Sequence, residues 1–120
     1  MPKRVIIIDD DPTSMVLYKR FLRDACGLQI VGEFEKAEDA LLQILFLEPD
    51  VAIVDYKLPG ISGIDFARLA QNQYPKIKVI LATGHDPEYL STPLCAMPNI
   101  DFVQKTWSKQ DVSRIIELCN

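Results

Sequence analysis

Five short apolar runs punctuate the chain: Val5-Ile6-Ile7-Ile8, Leu28-Gln29-Ile30-Val31-Gly32, Val51-Ala52-Ile53-Val54, Lys78-Val79-Ile80-Leu81-Ala82 and Ile100-Asp101-Phe102-Val103. Most are rich in β-branched residues and apolar at successive positions, the pattern of strands covered on both faces of a parallel sheet. Helical spacing fills the intervals between them. Tyr18, Phe21, Leu22 and Ala25 form one stripe, and Ala37, Ala40, Leu41, Ile44 and Leu45 a second. Ile64, Phe66, Ala67 and Ala70 form a third, and Val112, Ile115, Ile116 and Cys119 the last. Asp11-Pro12 has the chemistry of an N-cap followed by proline in the first turn. Ser108 to Asp111 fits a capping box with aspartate in place of glutamate. Strands that alternate with helices require right-handed crossovers, so the expected fold is a doubly wound α/β domain with helices on both faces of the sheet. In such sheets ligands bind beyond the carboxyl ends of the strands.

Four of those strand ends carry reactive side chains. The first run leads into Asp9-Asp10-Asp11, the third into Asp55, the fourth into Thr83 and the fifth into Lys105. Carboxylates gathered on one edge repel one another and raise each other's pKa values. A hard divalent cation such as Mg²⁺ relieves that repulsion, because it takes oxygen ligands and commonly one or two carboxylates with a phosphate. A carboxylate can also act as a nucleophile and form an acyl phosphate. Lysine supplies a point charge to a phosphoryl oxygen, and threonine a hydrogen bond. Taken singly, each residue has a plainer use. An aspartate after a strand is often a cap or a turn former, and a threonine or lysine there is usually a turn residue or a solvated charge.

Composition narrows the function classes. The chain has 120 residues, the size of one domain spanning 1–120. It is 48% apolar and 25% charged, enough for a core and a soluble surface. The net charge of −4 argues against a nucleic-acid partner for this domain, which would want a basic face. No apolar run approaches the ~20 residues of a membrane span. Met1-Pro2-Lys3-Arg4 precedes only four apolar residues, too few for a secretory core, so a cytoplasmic location is expected. Cys26, Cys95 and Cys119 with a lone His85 make neither a zinc spacing nor a disulfide framework.

The motifs at the strand ends resemble, over the whole chain, the receiver domains of two-component response regulators. Ile6-Ile7-Ile8-Asp9-Asp10-Asp11-Pro12 is similar to the family's opening strand and acidic pair. Asp55-Tyr56-Lys57-Leu58-Pro59-Gly60-Ile61-Ser62-Gly63 resembles its phosphoacceptor loop. Val79-Ile80-Leu81-Ala82-Thr83-Gly84 and Phe102-Val103-Gln104-Lys105 resemble the two strands that carry the signalling hydroxyl, the switch aromatic and the lysine. The resemblance implies a flavodoxin-like strand order 2-1-3-4-5. It implies Asp55 as phosphoacceptor, with Asp10, Asp55 and the Lys57 carbonyl holding Mg²⁺ directly and Asp9 through water. Thr83 and Phe102 would form the switch, and Lys105 would contact the phosphoryl group. The donor would be a histidine kinase or histidine phosphotransfer protein. The output would be a downstream effector protein or a fused domain. Such a domain assists its own phosphorylation and turns over no external substrate.

Two other readings compete. Asp9-Asp10-Asp11-Pro12-Thr13 also fits the opening motif of haloacid-dehalogenase-type phosphatases, with Asp9 as nucleophile and Asp11 as general acid. An interaction module with a dead site, a pseudo-receiver, is the other. The sequence departs from the receiver pattern in having Thr106 after Lys105, Ser62 where an acid is common, and Pro87, Pro93 and Pro98 in the output region. The first departure predicts a trans Lys105–Thr106 peptide, since a cis bond before a non-proline residue costs ~2.5–4 kcal/mol. The prolines predict one short or broken helix over 86–99. Lys57 and His85, each two residues beyond a site residue, are expected to flank the path of attacking water.

Overall fold

The computed structural model describes residues 2–84 and 100–120. The expectations for His85, Cys95 and the segment 86–99 lie outside the described residues.

The apolar runs form strands β1 (Lys3–Ile8), β2 (Leu28–Phe34), β3 (Val51–Asp55), β4 (Lys78–Thr83) and β5 (Ile100–Gln104). Among the described residues the intervals supply helices α1 (Pro12–Arg23), α2 (Ala37–Leu47), α3 (Gly63–Gln73) and α4 (Lys109–Cys119). The strands make one parallel sheet in the order β2-β1-β3-β4-β5, as expected. Alternate residues of each central strand feed opposite faces. Ile6, Ile8, Ala52, Val54, Val79 and Leu81 pack with α2 and α3, whereas Val5, Ile7, Val51, Ile53, Ile80 and Ala82 pack with α1 and α4. Such period-two alternation, apolar on both sides, is what made the runs continuous in sequence.

Three of the four described helix starts follow their capping chemistry, and α2, which begins after Lys36, has no side-chain cap. The Asp11 side chain accepts from the Thr13 N–H with Pro12 opening α1. Ser62 accepts from the Asp65 N–H at the head of α3, and Ser108 from the Asp111 N–H at the head of α4. The capping box at Ser108 is only half made. The Asp111 carboxylate accepts instead from the Thr106 hydroxyl, and the Ser108 N–H turns to Thr106 Oγ1 at 3.3 Å.

Two expectations from periodicity are corrected. Ala25 lies beyond the end of α1. Leu45 is 73% exposed, and Leu42 and Phe46 beside it are equally open. Helix α2 is apolar almost all round, so spacing alone could not say which side would face the sheet; Ala37, Ala40 and Ile44 do so. Cys119 is buried as expected, and burial pushes its thiol up to about 12. Among the described residues no helix is long and apolar enough to cross a membrane.

Candidate functional site

Strand register assembles the site. Ile8 pairs with Val54, so the next residues, Asp9 and Asp55, emerge side by side from β1 and β3. Asp55 pairs with Ala82 and Thr83 with Gln104, so Thr83 and Lys105 follow one step further along the same edge. The Lys105 N–H continues the ladder to the Thr83 carbonyl at 2.8 Å. The site lies where the chain order reverses between β1 and β3, the crevice that doubly wound sheets use.

Carboxylate oxygens of Asp9, Asp10 and Asp55 all lie within 4.8 Å of one another. They differ in surroundings. The Asp9 side chain is wholly buried, with Oδ1 accepting from the Asp11 N–H at 2.9 Å and Oδ2 from Lys105 Nζ at 2.8 Å. Asp10 is exposed and Asp55 is partly covered. Lys105 Nζ also reaches Asp55 Oδ1 at 3.6 Å. A buried charge is tolerable only with such a partner, and among the described residues a single ammonium, Lys105, faces a cluster of three acids. Burial pushes the Asp55 carboxyl up to about 6; the Asp9 and Asp10 charges add to this, while Lys105 and the Tyr56 N–H oppose it. A crowded set of hard oxygen donors, in which Asp55 resists ionisation, fits a divalent cation.

Close approach calls for glycine both at Gly60, in the loop after β3, and at Gly63, the first residue of α3. Gly60 has φ of 73°, and a Cβ there would strike the Glu38 carboxylate. Gly63 lies so near the Asp55 carbonyl that a Cβ would overlap it, with Leu81 Cδ2 and Tyr56 Cα at 3.0 Å. Its N–H donates to the Tyr56 carbonyl at 3.1 Å, which seats the head of α3 behind Asp55.

The structure brings together Asp9, Asp10, Asp55 and Lys105 through contacts between their side chains. Thr83 is buried at the end of β4. Lys57 is exposed two residues past Asp55, and Phe102 is half-buried against the α2–α3 side of the core. The Lys105–Thr106 peptide is trans, as the sequence implied. With both Asp9 oxygens engaged and no exposed side-chain surface, the phosphatase reading loses its nucleophile.

Sequence reasoning missed three residues. Glu38, in the first turn of α2, accepts from the Ile61 N–H at 3.3 Å and so braces the loop after Asp55. An acid in a first turn reads as a partner of the helix dipole, so no local signal marks this long reach. Tyr18 and Trp107 meet edge to face with ring centroids 4.8 Å apart. In the sequence Tyr18 reads only as part of an apolar stripe.

Comparison with known proteins agrees with this fold. The model of the response regulator receiver domain family matches residues 5–117. The response regulator GacA of Pseudomonas protegens is 31% identical over 115 residues, which are 96% of this chain and 54% of that protein. The signal receiver domain of the putative response regulator NarL from Mycobacterium tuberculosis superposes with a TM-score of 0.86 at 25% identity, covering 98% of this chain and 95% of that one. The isolated receiver domain of RcsB from Salmonella enterica serovar Typhimurium, solved with the phosphomimetic BeF3−, gives 0.86 at 25% identity, covering 98% and 87%. The chain spans about half the length of the curated relatives it matches, 54% and 42% for two of them. Strand order, strand-end chemistry and the match across nearly all of its length agree: the chain belongs to the response regulator receiver domain family of two-component systems.

Proposed function

We propose that this domain is a phosphorylation-dependent switch in which Asp55 accepts a phosphoryl group with the help of Mg²⁺. The observation that carries the reading is the cluster of Asp9, Asp10 and Asp55 oxygens within 4.8 Å, bridged from Asp9 to Asp55 by Lys105. Asp10, Asp55 and the Lys57 carbonyl would hold the cation, with Asp9 acting through water. When bound, the ion would neutralise the carboxylates and the oxygens of the incoming phosphoryl group.

The chain's own residues divide the remaining work. An Asp55 oxygen forms the new P–O bond while the P–N bond of a phosphohistidine breaks and its imidazole nitrogen regains a proton. Lys105 exchanges its contact with Asp55 for one with a phosphoryl oxygen, a charge-assisted bond. Thr83 donates its hydroxyl to another oxygen, and Phe102 moves into the space that Thr83 leaves. The surface altered by this shift is what a partner reads. The donor is a histidine kinase or histidine phosphotransfer protein of the cytoplasm. The output runs through a downstream effector or a fused domain, for which the greater length of the relatives speaks. The chain acts as one receiver domain and turns over no external substrate.

The test is mass spectrometry after incubation with Mg²⁺ and acetyl phosphate. One phosphoryl group should appear on Asp55 of the native protein, and none on Asp55→Asn. Label retained by Asp55→Asn would reject the assignment. An unlabelled native protein that also fails to bind Mg²⁺ would favour the pseudo-receiver.

A further inference from the structure

Lys105 is held from two sides, and only one of them belongs to the sheet. Upstream, its N–H ends the ladder on the Thr83 carbonyl. Downstream, Trp107 has φ of 63°, a left-handed conformation that is rare and costly for a bulky side chain. A conformation of that kind persists only where surrounding contacts impose it. The contacts here are aromatic. Tyr18 meets the Trp107 ring edge-on at 4.8 Å and 76°, and Phe21 stacks on it at 6.3 Å and 17°. Both partners come from α1, three residues apart and hence on one helix face. The same helix is capped by Asp11, whose N–H holds Asp9 Oδ1. The loop that carries the ammonium and the turn that carries the buried carboxylate are therefore fastened to a single rigid element.

We infer that Trp107, gripped by Tyr18 and Phe21, is a positioning residue that sets how far Lys105 reaches into the acidic cluster. No proline follows Lys105 to stiffen this loop, and the Thr106 hydroxyl turns away to Asp111. The aromatic grip supplies the missing restraint from outside the loop. Its consequence is specific. Lys105 competes with any cation for Asp9 and Asp55, and it must also meet a phosphoryl oxygen, so its reach sets the balance between the two. The inference rests on the reading of Asp55 as phosphoacceptor only for that consequence; the placement of Lys105 can be tested without it.

The first readout is the rate at which an acylating reagent modifies the Lys105 amine, followed by peptide mass spectrometry with Lys78 as internal reference. Lys105 is 10% exposed and ion-paired, and Lys78 is an open ion pair at the opposite, amino-terminal end of β4. Trp107→Gly keeps the left-handed backbone accessible but removes the ring. It should speed Lys105 modification at least about fivefold, about 1 kcal/mol in the opening equilibrium, and leave Lys78 unchanged. Trp107→Phe, which keeps an aromatic face, should stay near the native rate. Phe21→Ala removes one ring of the grip and leaves the loop's own sequence intact, so it serves if the glycine variant does not fold; it should act in the same direction. The second readout is Mg²⁺ affinity by calorimetry. Freed of its competitor, the Trp107→Gly cluster should bind Mg²⁺ more tightly, as should Lys105→Met, and the two changes together should do no more than Lys105→Met alone. General loosening of the fold would weaken Mg²⁺ binding instead. An unchanged Lys105 rate in both ring-deletion variants overturns the inference, as does weaker Mg²⁺ binding in Trp107→Gly. If the native protein binds no Mg²⁺, the cation-site reading fails while the labelling rates still decide the role of Trp107.

Discussion

Replacing Asp55 with asparagine should make the metal-free protein more stable, by an amount that depends on pH in one direction only. Burial, reinforced by Asp9 and Asp10, raises the Asp55 carboxyl from 3.8 to about 6, with Lys105 opposing the shift. The folded state thus holds this proton more tightly than the unfolded chain does. Its stabilising effect is complete below the unfolded value and is lost as pH rises through the folded one. A shift of about two units corresponds to about 3 kcal/mol, at 1.36 kcal/mol per unit. The Asp55 side chain is partly covered rather than wholly buried, so solvent screening brings the realised effect below that figure, to about 1–3 kcal/mol. Asparagine has nearly the same shape and no charge to desolvate. The stability difference between variant and native protein should therefore be smallest near pH 4, climb between about pH 4 and 6, and level off above about pH 7. Urea denaturation across that range, in chelator and at fixed ionic strength, gives the difference directly, and any pH-independent effect of the substitution cancels from its slope. Saturating Mg²⁺ should shrink the gain at neutral pH, because a ligand that binds only the folded native protein stabilises it by mass action. A difference that is flat with pH, or that grows toward acid, would refute the assignment of Asp55 as a carboxylate ionised against burial.

Three further substitutions probe the frame around the site. Gly63→Ala places a methyl group against the Asp55 carbonyl and Tyr56 Cα, backbone that cannot swing aside; it should cost about 1–3 kcal/mol in urea denaturation and slow acetyl-phosphate labelling further than that loss explains. Labelling at the native rate would show that the close approach is dispensable. Glu38→Ala removes the acceptor of the Ile61 N–H. It should cost about 1 kcal/mol of stability and weaken Mg²⁺ binding several-fold, because the braced loop carries Lys57; equal Mg²⁺ affinity by calorimetry would count against the brace. Tyr18→Phe deletes a buried hydroxyl that has no hydrogen-bond partner among the described residues, and burial and the Asp9 and Asp55 charges already hold its phenol well above the usual range. The variant should be more stable by about 1 kcal/mol and keep the ring contact with Trp107, and a loss of stability on thermal denaturation would mean that the hydroxyl has a partner after all.

The sequence alone determined the alternation of strands and helices and the four chemistry-bearing strand ends. The reason is local: period-two burial and helical spacing are written residue by residue, and a parallel sheet necessarily collects its strand ends on one edge. The trans peptide after Lys105 was legible for the same reason, since it depends on one dipeptide. The tertiary structure decided the rest. Only the registers of β1, β3, β4 and β5 set Asp9 beside Asp55 and brought Lys105 between them. Spacing could not choose the buried side of α2, because apolar residues surround that helix and the sheet selects the face with Ala37, Ala40 and Ile44. Glu38 reaches a loop 23 residues away, and Trp107 meets a helix near the other end of the chain. Contacts of that kind leave no periodic trace, because they depend on where two separate elements come to rest against the same sheet.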